Sequence, residues 1–300
     1  AFAADAPRQV AAALWAWANF GGIGARTRRG AGAFQLRNVQ GPDAALVAPM
    51  CASAKDLCQR LADGAQRFVC GDANYDGDFP VLKRATIAVA PLELGPKQVR
   101  GRNETVTLDE PERVVSGVGA ILQEFRQGVP FARNKGQGPR PGRSRWPEPD
   151  AIRRLLGQSA RAHTPNLPIF FPRAAFGLPI VVKFNTSEPS SRGDPQGQVT
   201  IRAARYERLA SPVILRPIRL SGSQAYAVAC VLLNTLVEPE GGMVLEYNGR
   251  TVPIPANAMP VAGASPGNVG AVAPLGNVPH AHVALMLRVA RLPNGGRFQA

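Results

Sequence analysis

Apolar residues recur at helical spacing between Pro7 and Phe20, where Val10, Ala13, Leu14 and Trp17 form a stripe. Pro7 suits a first helical turn, Asp5 supplies an N-cap, and Gly21-Gly22 ends the segment. The same spacing predicts helices over Ala52–Gln66, over Pro111–Gln127 and, more briefly, over Pro149–Leu156. In the Pro111 helix, Val114, Val115, Val118, Ile121, Leu122 and Phe125 form the expected core face.

Alternating or short apolar runs predict strands at Gly32–Val39, Val81–Leu92, Leu178–Phe184, Gln198–Ala203, Pro212–Leu220, Ala225–Asn234, Gly242–Tyr247 and His282–Val289. Gly128–Pro149 lacks periodicity and reads as a long loop, and Ser187–Gly197 and Asn257–Pro279 are rich in Gly, Pro and Ser. Strands mixed with a few helices, without regular strand–helix alternation, predict an α+β fold with a mostly antiparallel sheet, packed helices and long loops.

Composition adds two constraints. In a chain of 300 residues, 45% hydrophobic content allows a sizeable core and argues against global disorder. Gly and Pro together make 59 residues, which implies many turns. The apolar stretch Val10–Phe20 contains Asn19 and is too short to span a bilayer, so no membrane partner is expected and the cytoplasm is the default location.

Charge changes the picture more. The 35 cations, 30 of them Arg, exceed the 21 acids and give a formal net charge of +14. Such a surface attracts polyanions, above all nucleic acid, and Arg grips phosphates bidentately and stacks on bases. A GC-rich genome would explain Arg over Lys, but not the excess of cations over acids.

Two segments concentrate that charge. Gly21-Gly22-Ile23-Gly24-Ala25-Arg26-Thr27-Arg28-Arg29-Gly30 lies between a helix and a strand-like run. Its glycines permit close approach, so backbone N–H groups and Arg26, Arg28 and Arg29 can reach one line of phosphates. It lacks the Lys-Ser/Thr pair and following helix of a nucleotide-hydrolase phosphate loop. From Arg126 to Trp146 there are six cations and no acid, namely Arg126, Arg133, Lys135, Arg140, Arg143 and Arg145, flanked by Phe131 and Trp146. A basic loop with aromatics suits single-stranded RNA, and it suits equally a loop that orders against a partner protein.

Other constellations carry less. Asp72-Ala-Asn-Tyr-Asp-Gly-Asp78 imitates the start of a calcium loop, but its last ligand position falls on Lys83. Cys51, Cys58 and Cys70 fit no common zinc spacing, and Cys230 sits inside an apolar run, so neither metal nor cofactor is expected. His280 and His282 would share a face of a strand and could serve a ribonuclease, but no second set of catalytic groups accompanies them.

Four segments in order resemble the RAMP superfamily of type III CRISPR systems, nearest to the first RAMP subunit of the type III-B (Cmr) effector complex. They are Phe20-Gly-Gly-Ile-Gly-Ala-Arg-Thr-Arg-Arg-Gly30, Gly142-Arg-Ser-Arg-Trp-Pro-Glu-Pro-Asp150, Phe171-Pro-Arg-Ala-Ala-Phe-Gly-Leu-Pro-Ile180 and Arg208-Leu-Ala-Ser-Pro-Val-Ile-Leu-Arg-Pro217. The resemblance spans about residues 8–235. It implies a tandem ferredoxin-like (RRM-like) RAMP fold, with residues 1–79 as the remainder of a first domain whose earlier strands would precede the Gly/Arg loop. Residues 80–300 would form a second domain with a long basic insertion.

The resemblance further implies a non-catalytic RNA-binding subunit that contacts the 3′ region of guide RNA, helps capture target RNA and touches other RAMP subunits. The implied RNA contacts are Gly21, Gly22, Gly24, Arg26, Arg28, Arg29 and Gly30 in the first loop. Arg133, Lys135, Arg140, Arg143, Arg145 and Trp146 in the second, and Arg173, complete the set. A guide-processing RAMP endoribonuclease and a protein-bridging subunit are the alternatives.

Overall fold

The computed structural model describes residues 6–48, 50–69, 82–100, 105–127, 146–158, 169–184, 194–222, 225–233, 239–256, 258, 281–292 and 294–299. The chain divides into two compact units, both discontinuous in sequence. Unit 1 comprises residues 1–123, 213–235 and 285–300, and unit 2 comprises residues 124–212 and 236–284. The sequence expectation had cut the chain once, after residue 79.

Unit 1 opens with helix α1 (Ala6–Phe20) and the short helix α2 (Ala44–Val47). Helix α3 (Ala54–Phe68) follows, with Ser53 accepting a hydrogen bond from the Asp56 N–H at its N-terminus. Strand β1 (Thr86–Leu92) leads through the hairpin of β2 (Gln98–Arg100) and β3 (Thr105–Thr107) to α4 (Glu110–Gln127, in this unit to Gln123). Asp109 and Glu112 cap α4 reciprocally, each carboxylate accepting from the other's backbone N–H. Strands β6 (Val213–Arg219) and β7 (Tyr226–Leu232), helix α6 (Ala281–Ala290, in this unit from Leu285) and β10 (Gly296–Gln299) close the unit.

Its sheet has the order β10-β1-β7-β6, every neighbouring pair antiparallel. The connectivity β1-α4-β6-β7-α6-β10 is thus strand–helix–strand–strand–helix–strand, with spatial order fourth, first, third, second. All four strands follow the Gly/Arg loop in the chain. Both faces of the central strands are buried: Ile87, Val89, Ala229 and Val231 join Trp15, Leu57 and Leu61 in one core, while Ala88, Ala90, Val228 and Cys230 point the other way and are also fully buried.

Unit 2 holds α5 (Glu148–Leu155), β4 (Ile180–Lys183), β5 (Gln198–Ala203), β8 (Met243–Tyr247) and β9 (Arg250–Pro253). Its sheet order is β4-β5-β8-β9, all antiparallel, a meander within the unit and not a second copy of the unit 1 order. Ile152, Phe171, Ile180, Val199, Ile201 and Leu245 form its core. The α+β architecture with antiparallel sheets is as expected.

Three local expectations differ. In α1 the buried face centres on Trp15, Asn19 and Phe20, whereas Val10 and Trp17 of the expected stripe are 58% and 45% exposed. The stripe was displaced because alanines at 11, 12 and 16 left two helical faces with similar apolar content. His282–Val289 is not a strand but lies within α6, since a short continuous apolar run fits either state. Gly32–Val39 is irregular, without ladder pairing.

Candidate nucleic-acid interface

The Gly/Arg loop is a closed structure in unit 1. The Gly21 N–H completes α1 by donating to the Trp17 carbonyl at 2.9 Å, and the Ile23 N–H donates to the Gly32 carbonyl at 3.0 Å, joining the two ends of the loop. Gly32 has φ +68°, and a Cβ there would lie 1.8 Å from the Ile23 carbonyl oxygen, so only glycine permits this closure. Gly30, at φ +81°, is buried, and a Cβ there would press at 3.1 Å on both Pro217 Cδ and Val118 Cγ1. These glycines let the loop lie directly against β6 and α4.

Between them, Thr27–Arg29 forms one 3-10 turn entered by Arg26 in the left-handed region, φ 59°. At three residues per turn, successive side chains project about 120° apart, so Arg28 and Arg29 cannot point the same way. Arg26 and Arg29 are exposed, and among the described residues neither guanidinium is in an ion pair. Arg28 is half-buried and is engaged within the protein. The loop therefore presents two arginines outward and holds the third.

What supports the loop was not foreseen. Arg216, on β6, is 1% exposed. Its Nη1 donates to the Gly21 carbonyl at 2.6 Å, and its Nη2 donates to the carbonyls of Ala18 at 2.8 Å and Phe34 at 2.5 Å. The guanidinium also lies 5.0 Å from the Phe34 ring centroid. Ala18 lies in the last turn of α1 and Gly21 just beyond its end, where the helix dipole favours a cation. Burial lowers the Arg216 pKa to about 10, which leaves it charged at neutral pH. The available signal was an arginine inside the apolar run Val-Ile-Leu-Arg-Pro, a position that a charged residue occupies only with partners.

Arg133, Lys135, Arg140, Arg143 and Arg145 lie outside the described residues, as do Cys70, Asp72–Asp78 and His280. Trp146 is described, in unit 2, and is 2% exposed. Its ring packs at 5.8 Å, edge to face, on Phe125, with the Arg173 guanidinium 5.6 Å from its centroid. The Glu148 carboxylate, wholly buried, accepts from the Arg173 N–H at 2.8 Å and pairs with its Nε at 3.1 Å. Trp146 and Arg173, singled out as RNA contacts, are thus placed together but spend their ring face and charge on each other and on Glu148. On the same helix as Glu148, Arg153, 4% exposed, pairs with Asp194 at 2.8 and 3.0 Å and with Asp150 at 2.8 Å.

No cluster among the described residues could hold a metal ion. Cys51 and Cys230 are buried, which pushes their thiols up to about 12. No helix among the described residues is long and apolar enough to cross a membrane. His282 lies on α6 and not on the expected strand.

The stretch just described, α1 and the Gly/Arg loop, is where the chain meets a known family. The family model of the RAMP superfamily matches residues 3–35. No curated protein and no solved structure matches the chain. The RAMP match ends one residue beyond Phe34, the last carbonyl held by Arg216, so it covers both loop ends that this arginine joins.

Proposed function

We propose that the chain is an RNA-binding subunit of a type III CRISPR ribonucleoprotein. It would hold guide RNA near its 3′ region, help to capture target RNA beside other RAMP subunits in the cytoplasm, and leave cleavage to another subunit. The observation that carries this reading is the rigidly mounted Gly/Arg loop. Its ends are joined by Arg216, it presents Arg26 and Arg29 to solvent, and it lies in the segment matched by the RAMP family model. Two further features support it. The net charge of +14 favours a polyanionic partner. The strand order of unit 1, fourth-first-third-second around a strand–helix–strand–strand–helix–strand chain, supports a ferredoxin-like unit of the kind the resemblance implies.

The test is RNA affinity against salt. On single strands each phosphate neutralised contributes about 0.7 to the slope of log K against log salt. The double variant Arg26→Ala, Arg29→Ala should weaken binding and flatten the slope by about 1.4. An unchanged slope removes the loop from the RNA site. Cleavage of repeat RNA by the purified protein without metal, lost in His282→Ala, would replace this reading with the endoribonuclease one.

A further inference from the structure

The segment leaving the Gly/Arg loop joins no sheet, although its Gly32 and Phe34 carbonyls accept from Ile23 and Arg216. In Gly32–Val39, Leu36 and Val39 pack on the core, Phe34 is half-buried against Trp17 and Arg216, and Gln35 and Arg37 are exposed. Yet the N–H groups of Ala33, Gln35 and Leu36 make no hydrogen bond among the described residues. Beside this segment lies the edge strand β6, and between them the structure leaves a cleft of about 320 Å³. Gly30 and Gly32 of the loop form one wall, Val115 of α4 and Pro217 of β6 another, and Phe34 and Tyr226 supply rings. The cleft adjoins a wider groove flanked by Arg37 and Arg219, both exposed.

The cleft is apolar and aromatic, is edged by free backbone donors, and is open at an arginine-lined rim. An apolar side chain of a partner would leave the free N–H groups unpaired. A nucleobase uses both features, since its faces stack and its edges accept and donate. The volume accommodates one base, and Gly30 in the cleft wall directly follows Arg29 in the chain.

We propose that this cleft receives one splayed-out base of single-stranded RNA, read through the unpaired N–H groups of Ala33, Gln35 and Leu36. The inference rests on the RNA-binding reading of the Gly/Arg loop and names the ligand feature that the loop alone does not specify. A base so held lets the subunit distinguish an unpaired nucleotide from a phosphate chain.

The test compares a short oligouridylate with an abasic oligomer of equal length and charge. The wild-type protein should bind the oligouridylate about ten-fold more tightly, the size of one stacked base. Val115→Trp, which fills the cleft from a half-exposed position, should bring oligouridylate binding down to the abasic level and leave abasic binding unchanged. Arg26→Ala, Arg29→Ala should weaken both. Equal wild-type affinities, or no effect of Val115→Trp, overturn the base cleft while the loss with the arginine variant keeps the RNA reading. No RNA binding by the wild type overturns both.

If Val115→Trp fails to fold, photo-crosslinking of 4-thiouridine-substituted RNA to the wild-type protein decides. Crosslinks at Phe34 or Tyr226 support the cleft, and crosslinks confined to the loop overturn it, the result expected if a protein strand occupies the groove instead.

Discussion

The Arg216 guanidinium donates to the Gly21 carbonyl at 2.6 Å across 195 residues of sequence. With the same group it holds Phe34, on the far side of the Gly/Arg loop. One buried cation in a sheet strand thus determines where the loop leaves its helix and where it rejoins the fold. The loop's outward arginines need that mount, because a phosphate site gains affinity from side chains already in place.

Arg216→Met should cost about 3–5 kcal/mol, since it leaves the carbonyls of Ala18, Gly21 and Phe34 without their donor in a buried place. Arg216→Lys should recover only part of this, because an ammonium cannot span three carbonyls as a planar fork does. Urea unfolding measures both, and RNA affinity at a denaturant-free condition should fall in the same order. A lysine variant as stable as wild type would contradict the anchoring role.

Gly32→Ala should disrupt the closure of the loop, because its Cβ would overlap the Ile23 carbonyl and its φ is left-handed. The expected cost is about 2–4 kcal/mol, with faster amide exchange at Ile23. Gly24→Ala provides the comparison: its φ is also left-handed, but no atom lies within 4 Å, so only the backbone penalty of about 1 kcal/mol remains.

In unit 2, Asp194→Ala should destabilise by about 2–4 kcal/mol. It removes the bidentate partner of Arg153, which is 4% exposed and would keep only Asp150. Thermal unfolding with and without Arg153→Met in the same background tests this. The double variant should recover stability, since the unpaired charge goes with it.

The Tyr226 hydroxyl donates to Glu110 at 2.6 Å, and burial together with this bond pushes its pKa from 10.0 to about 12. The unfolded chain therefore loses this proton near pH 10 while the folded protein keeps it until about 12. Fewer protons on the unfolded state means that stability falls as pH rises through this window. Tyr226→Phe should flatten the fall by one proton's worth, as read from denaturant midpoints across that range.

Much of the fold was legible locally. The expected helices at 52–66, 111–127 and 149–156 reappear as α3, α4 and α5, and β5 appears at Gln198–Ala203 as expected. In each, the apolar spacing matches one period over enough residues to exclude the other. Val115, expected in a core face, is 39% exposed, because it opens onto the cleft beside the loop. Trp146, expected as an RNA contact flanking the basic stretch, is buried against Phe125, a neighbour that its sequence context does not reveal.

By itself the sequence determined the Gly/Arg loop as a break between a helix and an extended run, because glycine and arginine act through their own backbone freedom and charge. It also placed β1 and β4 to β8, but it made strands of Gly32–Val39 and of part of α6 and left out β2, β3, β9 and β10. Only the tertiary structure decided that β6 is an edge strand, that Arg216 is buried beneath the loop, and that Gly32–Val39 joins no sheet beside a cleft. Each of these depends on which distant segment supplies a hydrogen-bond partner, and periodicity along the chain carries no record of partners across space.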